Sequence, residues 1–229
     1  MAHAGTDLTR DEVVALLTEV GQILHEQGSE ATLYVVGGAA MALEYEARRI
    51  TRDIDSSLQS GPDSFWEATR TVAARHGIDD GWINSQATCF FTNEHDDAAS
   101  EISLPGLKVT VASPEHLIAM KLRALRERDM DDLETLFRHA GITDPQQAAD
   151  IHDALFDDTY AGYFDPDEAL YAAQKVFDRA KALGHPIAPD MPVGRPRFPL
   201  SRSERQPRED DGRFGSEEHE APHGGLDAL

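Results

Sequence analysis

Cysteine is almost absent from this chain. Cys89 stands alone, so no disulfide can form within the sequence, a stapled extracellular scaffold is excluded, and a reducing, cytoplasmic setting is expected. Long apolar runs are missing as well. Nothing approaches the roughly 20 consecutive residues that cross a bilayer, and the first residues lack the apolar segment of a secretory signal, so no membrane partner is expected. Positive charge is scarce: 21 Lys and Arg face 42 Asp and Glu, a formal net charge of −21. A general nucleic-acid binder carries a basic stripe, and this composition does not supply one across the whole surface. Neither G-x-G-x-x-G nor G-x-x-x-x-G-K-[ST] occurs, which argues against dinucleotide-binding and P-loop sites.

What is present is patterned. Thr9-Arg10-Asp11-Glu12 has the form of a capping box, and apolar residues from Val13 to Leu24 follow at helical spacing, predicting a helix to about Gln27. Strands are expected at Thr32–Val36, Ile54–Leu58 and Leu107–Val111, with helices at Gly38–Tyr45 and from Phe65 to about His76. Residues 78–106 read poorly. Trp82-Ile83-Asn84 and Cys89-Phe90-Phe91 suggest short strand pieces, and Asn93–Ser100 a hydrated polar loop. Ser113-Pro114, Asp144-Pro145 and Asp165-Pro166 each place a capping residue before a proline, where the missing N–H of proline costs nothing; a further helix is expected from about Asp131 to His139. The pattern implies an α/β (α+β) fold: a small mixed sheet with flanking helices through residue 112, then a helical portion over 113–185. From Pro186 to Leu229, seven prolines sit among charged residues and glycines with little to bury, and a disordered tail is expected.

The chemistry concentrates in two stretches. Leu33-Tyr34-Val35-Val36 runs into Gly37 and Gly38, a strand meeting a glycine turn that opens a helix. Bare backbone there allows close approach of a ligand, and helix-start N–H groups attract anions such as phosphate. Then comes Arg52-Asp53-Ile54-Asp55. Strand alternation puts Asp53 and Asp55 on one face and Ile54 into the core. Two carboxylates side by side repel unless a cation sits between them, and all-oxygen donors suit Mg²⁺. A phosphate cradle beside a metal-binding pair is the apparatus of phosphoryl or nucleotidyl transfer.

Gly37-Gly38-Ala39 followed by Asp53-x-Asp55 resembles the signature of the nucleotidyltransferase superfamily that includes DNA polymerase β. Downstream, Leu107–Ala124 with Arg126, Arg128-Asp129 and Asp131-Asp132-Leu133 looks like the AbiEii-type nucleotidyltransferase toxins and their bacterial relatives. The resemblance spans roughly residues 30–140. It implies transfer of a nucleoside monophosphate from an NTP to an acceptor, with Mg²⁺ in a two-metal arrangement on Asp53 and Asp55. Gly37, Gly38, Arg52 and Lys121 would contact the nucleotide, and Asp131 or Asp132 would serve as an additional acid. RNA, tRNA in particular, is the acceptor the likeness suggests, with an antitoxin protein as partner. One departure is Ala39, where relatives often carry serine.

Lys121 also stands out without the resemblance, because Leu117, Ile118, Met120 and Leu122 surround it with apolar positions, and a lysine at the core's rim can read phosphate. The third acid has two candidate sources: Glu101 on a possible strand, or the Asp129-Met130-Asp131-Asp132 cluster, whose acids also suit helix capping and the first-turn dipole. Arg48, Arg49 and Arg52, with Lys121, Arg123, Arg126 and Arg128, would form one positive mouth if the fold joins the two groups; otherwise the acidity serves solubility. His219-Glu220-Ala221-Pro222-His223 matches H-E-x-x-H literally, but Pro222 denies it the helix that zinc site needs. Asp157–Glu168 fails as a calcium loop because Ala161 takes a ligand position. A catalytically weak relative, acting as a nucleotide- or partner-binding module, is the alternative reading.

Overall fold

In the computed structural model the described residues are 7–46, 49–92, 94–124, 126–156 and 166–187. Helix α1, Arg10–Glu26, begins at the expected capping box, with Thr9 and Glu12 exchanging side-chain and backbone hydrogen bonds. Its buried face, including Val13, Leu17, Val20 and Leu24, covers the apolar side of a five-stranded mixed sheet. The strands are β1 (Ala31–Val35), β2 (Ile54–Ser60), β3 (Ile83–Asn84), β4 (Ser100–Leu104) and β5 (Leu107–Val111), in spatial order β3-β2-β1-β5-β4. β1 pairs antiparallel with β2 and parallel with β5; β3 runs parallel to β2, and β4 and β5 form a hairpin.

Alternation divides the sheet into two chemically different faces. Leu33, Val35, Ile54, Val109 and Val111 are buried beneath α1 and helix α3, Ser64–His76. Tyr34, paired with Ser57 and Thr110, belongs to the other, polar face, which also carries Asp55.

Helix α2, Gly37–Ala40, is shorter than the stretch expected and continues as a π-helical segment over Met41–Tyr45. Past the hairpin come α4 (Pro114–Ala124), a 3₁₀ turn (Glu127–Asp129), α5 (Met130–Ala140), α6 (Pro145–Leu155) and α7 (Pro166–Ala182). Asp144 caps α6 as expected, in a capping box with Gln147, while Asp165 falls outside the described residues. α4 packs on α5 and α6, and α6 on α7. Among the described residues no helix is long and apolar enough to cross a membrane.

Two local expectations fail. Cys89-Phe90-Phe91 is not a strand piece: Gln86–Phe90 winds into a 3₁₀ turn, because the Asn84 side chain accepts the Gln86 N–H and the Ser85 carbonyl accepts from Thr88. The 94–99 segment is not wholly hydrated. His95 and Asp97 are exposed, but Asp96 is buried, accepting hydrogen bonds from the Tyr34 hydroxyl and the Ser113 N–H at 2.8 Å each. The tail lies outside the described residues beyond Ile187, whose side chain packs against the core.

Candidate functional site

Where β1 ends, Val36 donates its N–H to the Asp55 carbonyl at 2.9 Å, and the chain turns at Gly37 with φ of +63°. A side chain there would be strained by the left-handed backbone, and its Cβ would stand 2.9 Å from Asp55 Oδ2. Glycine is therefore required twice over, and the Asp55 carboxylate lies directly against bare backbone. At Gly38 a Cβ would come within 3.1 Å of the Thr51 hydroxyl. Thr51 is fixed in turn: it exchanges backbone hydrogen bonds with Leu8 at 2.7 and 2.9 Å, and its hydroxyl donates to the Asp53 carbonyl at 2.8 Å.

Asp53 and Asp55 follow with Ile54 fully buried between them, as alternation requires. Both carboxylates line a cleft of about 290 Å³. Among the described residues no cation forms an ion pair with either of them. Burial, and then the charge of Asp53, push the Asp55 carboxyl above its ordinary range, while Arg126, Arg128 and Lys121 pull against that rise. Asp53 Oδ2 accepts a hydrogen bond from the Asn84 side-chain amide at 3.2 Å.

The opposite wall comes from α4 and the turn after it. Lys121 reaches inward, 2.8 Å from Asp129 Oδ1 and 2.7 Å from Asp132 Oδ2. Asp132 has no exposed side-chain surface, and its other oxygen takes a hydrogen bond from Arg49, which crosses from the β2 side. Two cations and two carboxylates thus neutralise one another, Arg49 half-buried and the other three buried, the arrangement that makes burying charge tolerable. Lys121, Arg49 and Asp129 still border the cleft.

The structure brings most of the expected residues to one place and removes others. Gly37, Gly38, Arg52, Asp53, Asp55 and Lys121 share the cleft. Asp131 does not: it is 74% exposed and pairs with Arg179 of α7 at 2.6 Å. Asp132 sits behind the wall, tied to two cations. Glu101 is exposed on β4, bound to Lys108 at 2.5 Å, and its carboxyl is held below the ordinary range chiefly by that lysine. The acid the 129–132 cluster brings to the cleft is Asp129. Ala39 is fully buried and contributes nothing to the lining.

The two basic groups do converge. Arg49 and Arg52 meet Lys121, Arg126 and Arg128, so five cations face three carboxylates in the cleft of a strongly acidic chain. Arg126 stacks over the Phe90 ring, 5.0 Å from its centroid. Arg123 turns away and covers Phe156 at 4.4 Å, and Arg48 lies outside the described residues.

Sequence reasoning missed two features. Asn84 was visible only as the end of a short strand piece, and nothing in its neighbours announced contact with Asp53. Ser113, His116 and Asp96 also meet, but both the serine hydroxyl (3.1 Å) and the aspartate (3.3 Å) approach His116 Nδ1. A nucleophilic relay needs the two partners on different ring nitrogens. With Ser113 buried, the cluster clamps the 94–99 segment to the start of α4.

Two carboxylates, with water and phosphate completing the coordination, are the donor set Mg²⁺ accepts, and the bare backbone at Gly37 leaves room beside them. Among the described residues no group of three or more His, Cys, Asp or Glu is arranged to hold a metal ion, so the pair would act with substrate oxygens rather than as a closed cage. A mixed sheet, a glycine turn and a pair of strand carboxylates are the features that the resemblance to nucleotidyltransferases leads one to expect. Sequence comparison makes this specific: the chain belongs to the family described as "Nucleotidyltransferase of unknown function (DUF6036)", which matches residues 11–140. That stretch contains every residue lining the cleft. No curated protein and no solved structure matches the chain.

Proposed function

We propose that this protein is a Mg²⁺-dependent nucleotidyltransferase that moves a nucleoside monophosphate from an NTP to an acceptor hydroxyl and releases pyrophosphate. The observation that carries the reading is the Asp53/Asp55 pair, left without a cationic partner against the bare backbone of Gly37 in a cleft otherwise rich in cations. Asp53 and Asp55 would hold Mg²⁺, which when bound neutralises triphosphate charge and polarises the reacting oxygens.

The chain's own contributions are positional and electrostatic. Gly37 and Gly38 admit the polyphosphate close to the carboxylates, where any side chain would block it. Arg52, Arg126 and Arg128 offset the charge of the nucleotide at the mouth, and Lys121 presents its ammonium from the facing wall. In the reaction the acceptor oxygen bonds to the α-phosphorus as the bond to the pyrophosphate oxygen breaks, and the hydroxyl proton passes to water. Asp129 is the acid in the lining beyond the pair, which makes it the better candidate than Asp131 or Asp132 for an additional role.

The likeness to AbiEii-type toxins extends the proposal to RNA, tRNA in particular, as acceptor and to a toxin restrained by an antitoxin protein. The positive mouth on an acidic body supports a polyanionic acceptor held locally. One observation favours the alternative of a nucleotide-binding module with little catalysis: Lys121 already gives hydrogen bonds to two carboxylates. Incubation with each NTP labelled at the α-phosphate, Mg²⁺ and total RNA separates the readings. Covalently labelled RNA from the wild type but not from Asp53→Asn is expected; NTP binding without any labelled product would establish the module instead.

A further inference from the structure

We infer that Asn84 is a positioning residue for the metal-binding pair, and that it puts a hydrogen-bond donor where a third acid would otherwise stand. The inference rests on the reading of Asp53 and Asp55 as metal ligands. β3 is the strand next to β2 on the side away from β1, and its register sets Asn84 directly beside Asp55. The side-chain amide reaches Asp53 Oδ2 at 3.2 Å.

Which end of the amide faces the carboxylate is settled by its other partner. Asn84 Oδ1 accepts the Gln86 backbone N–H at 2.9 Å, a group that can only donate. The NH₂ end is therefore the one turned to Asp53. It holds one carboxylate oxygen by a hydrogen bond and cannot itself ligate a cation. The backbone around it is equally constrained: the Asn84 carbonyl accepts from the Ser56 hydroxyl at 3.3 Å, and the Trp82 carbonyl accepts the Ile54 N–H at 2.6 Å.

Two consequences follow. Orientation of a ligand by an outer hydrogen bond is a general determinant of metal affinity, and losing such a partner typically costs 10–100-fold. Adding a carboxylate at the same place would give a divalent cation a third oxygen donor, while increasing repulsion when no ion is bound.

Mn²⁺ binding, followed by the electron paramagnetic resonance of free Mn²⁺, tests this without relying on turnover. The proteins compared are wild type, Asp53→Asn, Asn84→Ala and Asn84→Asp, each with its Tm measured without added ion. Asn84→Ala is expected to weaken Mn²⁺ binding roughly tenfold. Asn84→Asp, which keeps the acceptor for Gln86, is expected to bind Mn²⁺ more tightly than wild type and to have a lower Tm until the ion is added. Asn84→Ala with unchanged Mn²⁺ affinity, while Asp53→Asn loses binding, overturns the role of Asn84 and leaves it a turn former whose loss lowers Tm alone. Wild type and Asp53→Asn binding Mn²⁺ equally overturns the metal assignment beneath it, and the inference with it.

Discussion

The two walls of the cleft hold carboxylates in opposite conditions. On the sheet side Asp53 and Asp55 lie next to one another without an ion-pair partner among the described residues, and Asp55 is held above its ordinary titration range. On the helical side Asp129 and Asp132 share the Lys121 ammonium, and Asp132 also accepts from Arg49. Charges paired this closely also hold the α4–α5 wall against the 49–53 segment. Charges left uncompensated lower stability and persist where a ligand completes them. The contrast between neighbours is sharper still: Asp131 faces α7 and solvent, whereas Asp132 is fully enclosed.

This comparison can be broken by moving charge on either wall. The largest effect is expected from Asp53→Asn, which should abolish nucleotidyl transfer while leaving Tm near that of the wild type. Transfer at a rate close to wild type would remove the pair from the site. On the other wall Asp132→Ala leaves Lys121 and Arg49 with Asp129 alone, and loss of one member of a buried ionic set costs about 3–5 kcal/mol. Urea denaturation should show a loss of that size.

Changes at the mouth should act on the acceptor rather than on the fold. Replacing Arg126 and Arg128 together by Gln is expected to raise KM for RNA more than for NTP, and to flatten the salt dependence of RNA binding by up to about two units of slope. Michaelis constants for RNA and NTP measured at two salt concentrations check this; an unchanged RNA constant would confine those arginines to local pairing.

Asp55→Asn should abolish activity and yet stabilise the ion-free protein at neutral pH, by about 2 °C in Tm. The sign follows from the direction of the shift. A carboxyl whose folded value is raised costs stability once pH exceeds both the unfolded and folded values, and the cost disappears when the group is protonated in both states. The advantage of Asn over Asp should therefore shrink on acidification toward the ordinary carboxylate range, as thermal melts across pH would show. The smallest effect belongs to Asp131→Ala, expected within about 0.5 kcal/mol of wild type and without influence on transfer.

Much of the sheet-side wall was legible because its requirements are local. The Val35–Gly38 transition, the alternation through Asp53-Ile54-Asp55 and the capping boxes at Thr9 and Asp144 depend on neighbours in sequence. The helical wall depends on register, and there the reading of Asp131 and Asp132 as interchangeable was too coarse. Asp132 precedes Leu136 by four residues and so shares its buried face, while Asp131 precedes the half-buried Thr135 in the same way. Asp96 and Asn84 were beyond reach for a different reason. Each is set by a partner far along the chain, Tyr34 and Asp53, and nothing in a polar loop or a two-residue strand indicates which distant group it will meet.

The division of labour between the walls is tested most directly by thermal melts of wild type and Asp53→Asn with Mg²⁺ alone, with each NTP alone, and with both together. The account predicts that Mg²⁺ and the preferred NTP together raise the Tm of the wild type well beyond either alone, and that Asp53→Asn loses this shift while melting normally without ligand. An equal shift in the two proteins would contradict it, because the uncompensated carboxylates would then have no part in holding the nucleotide.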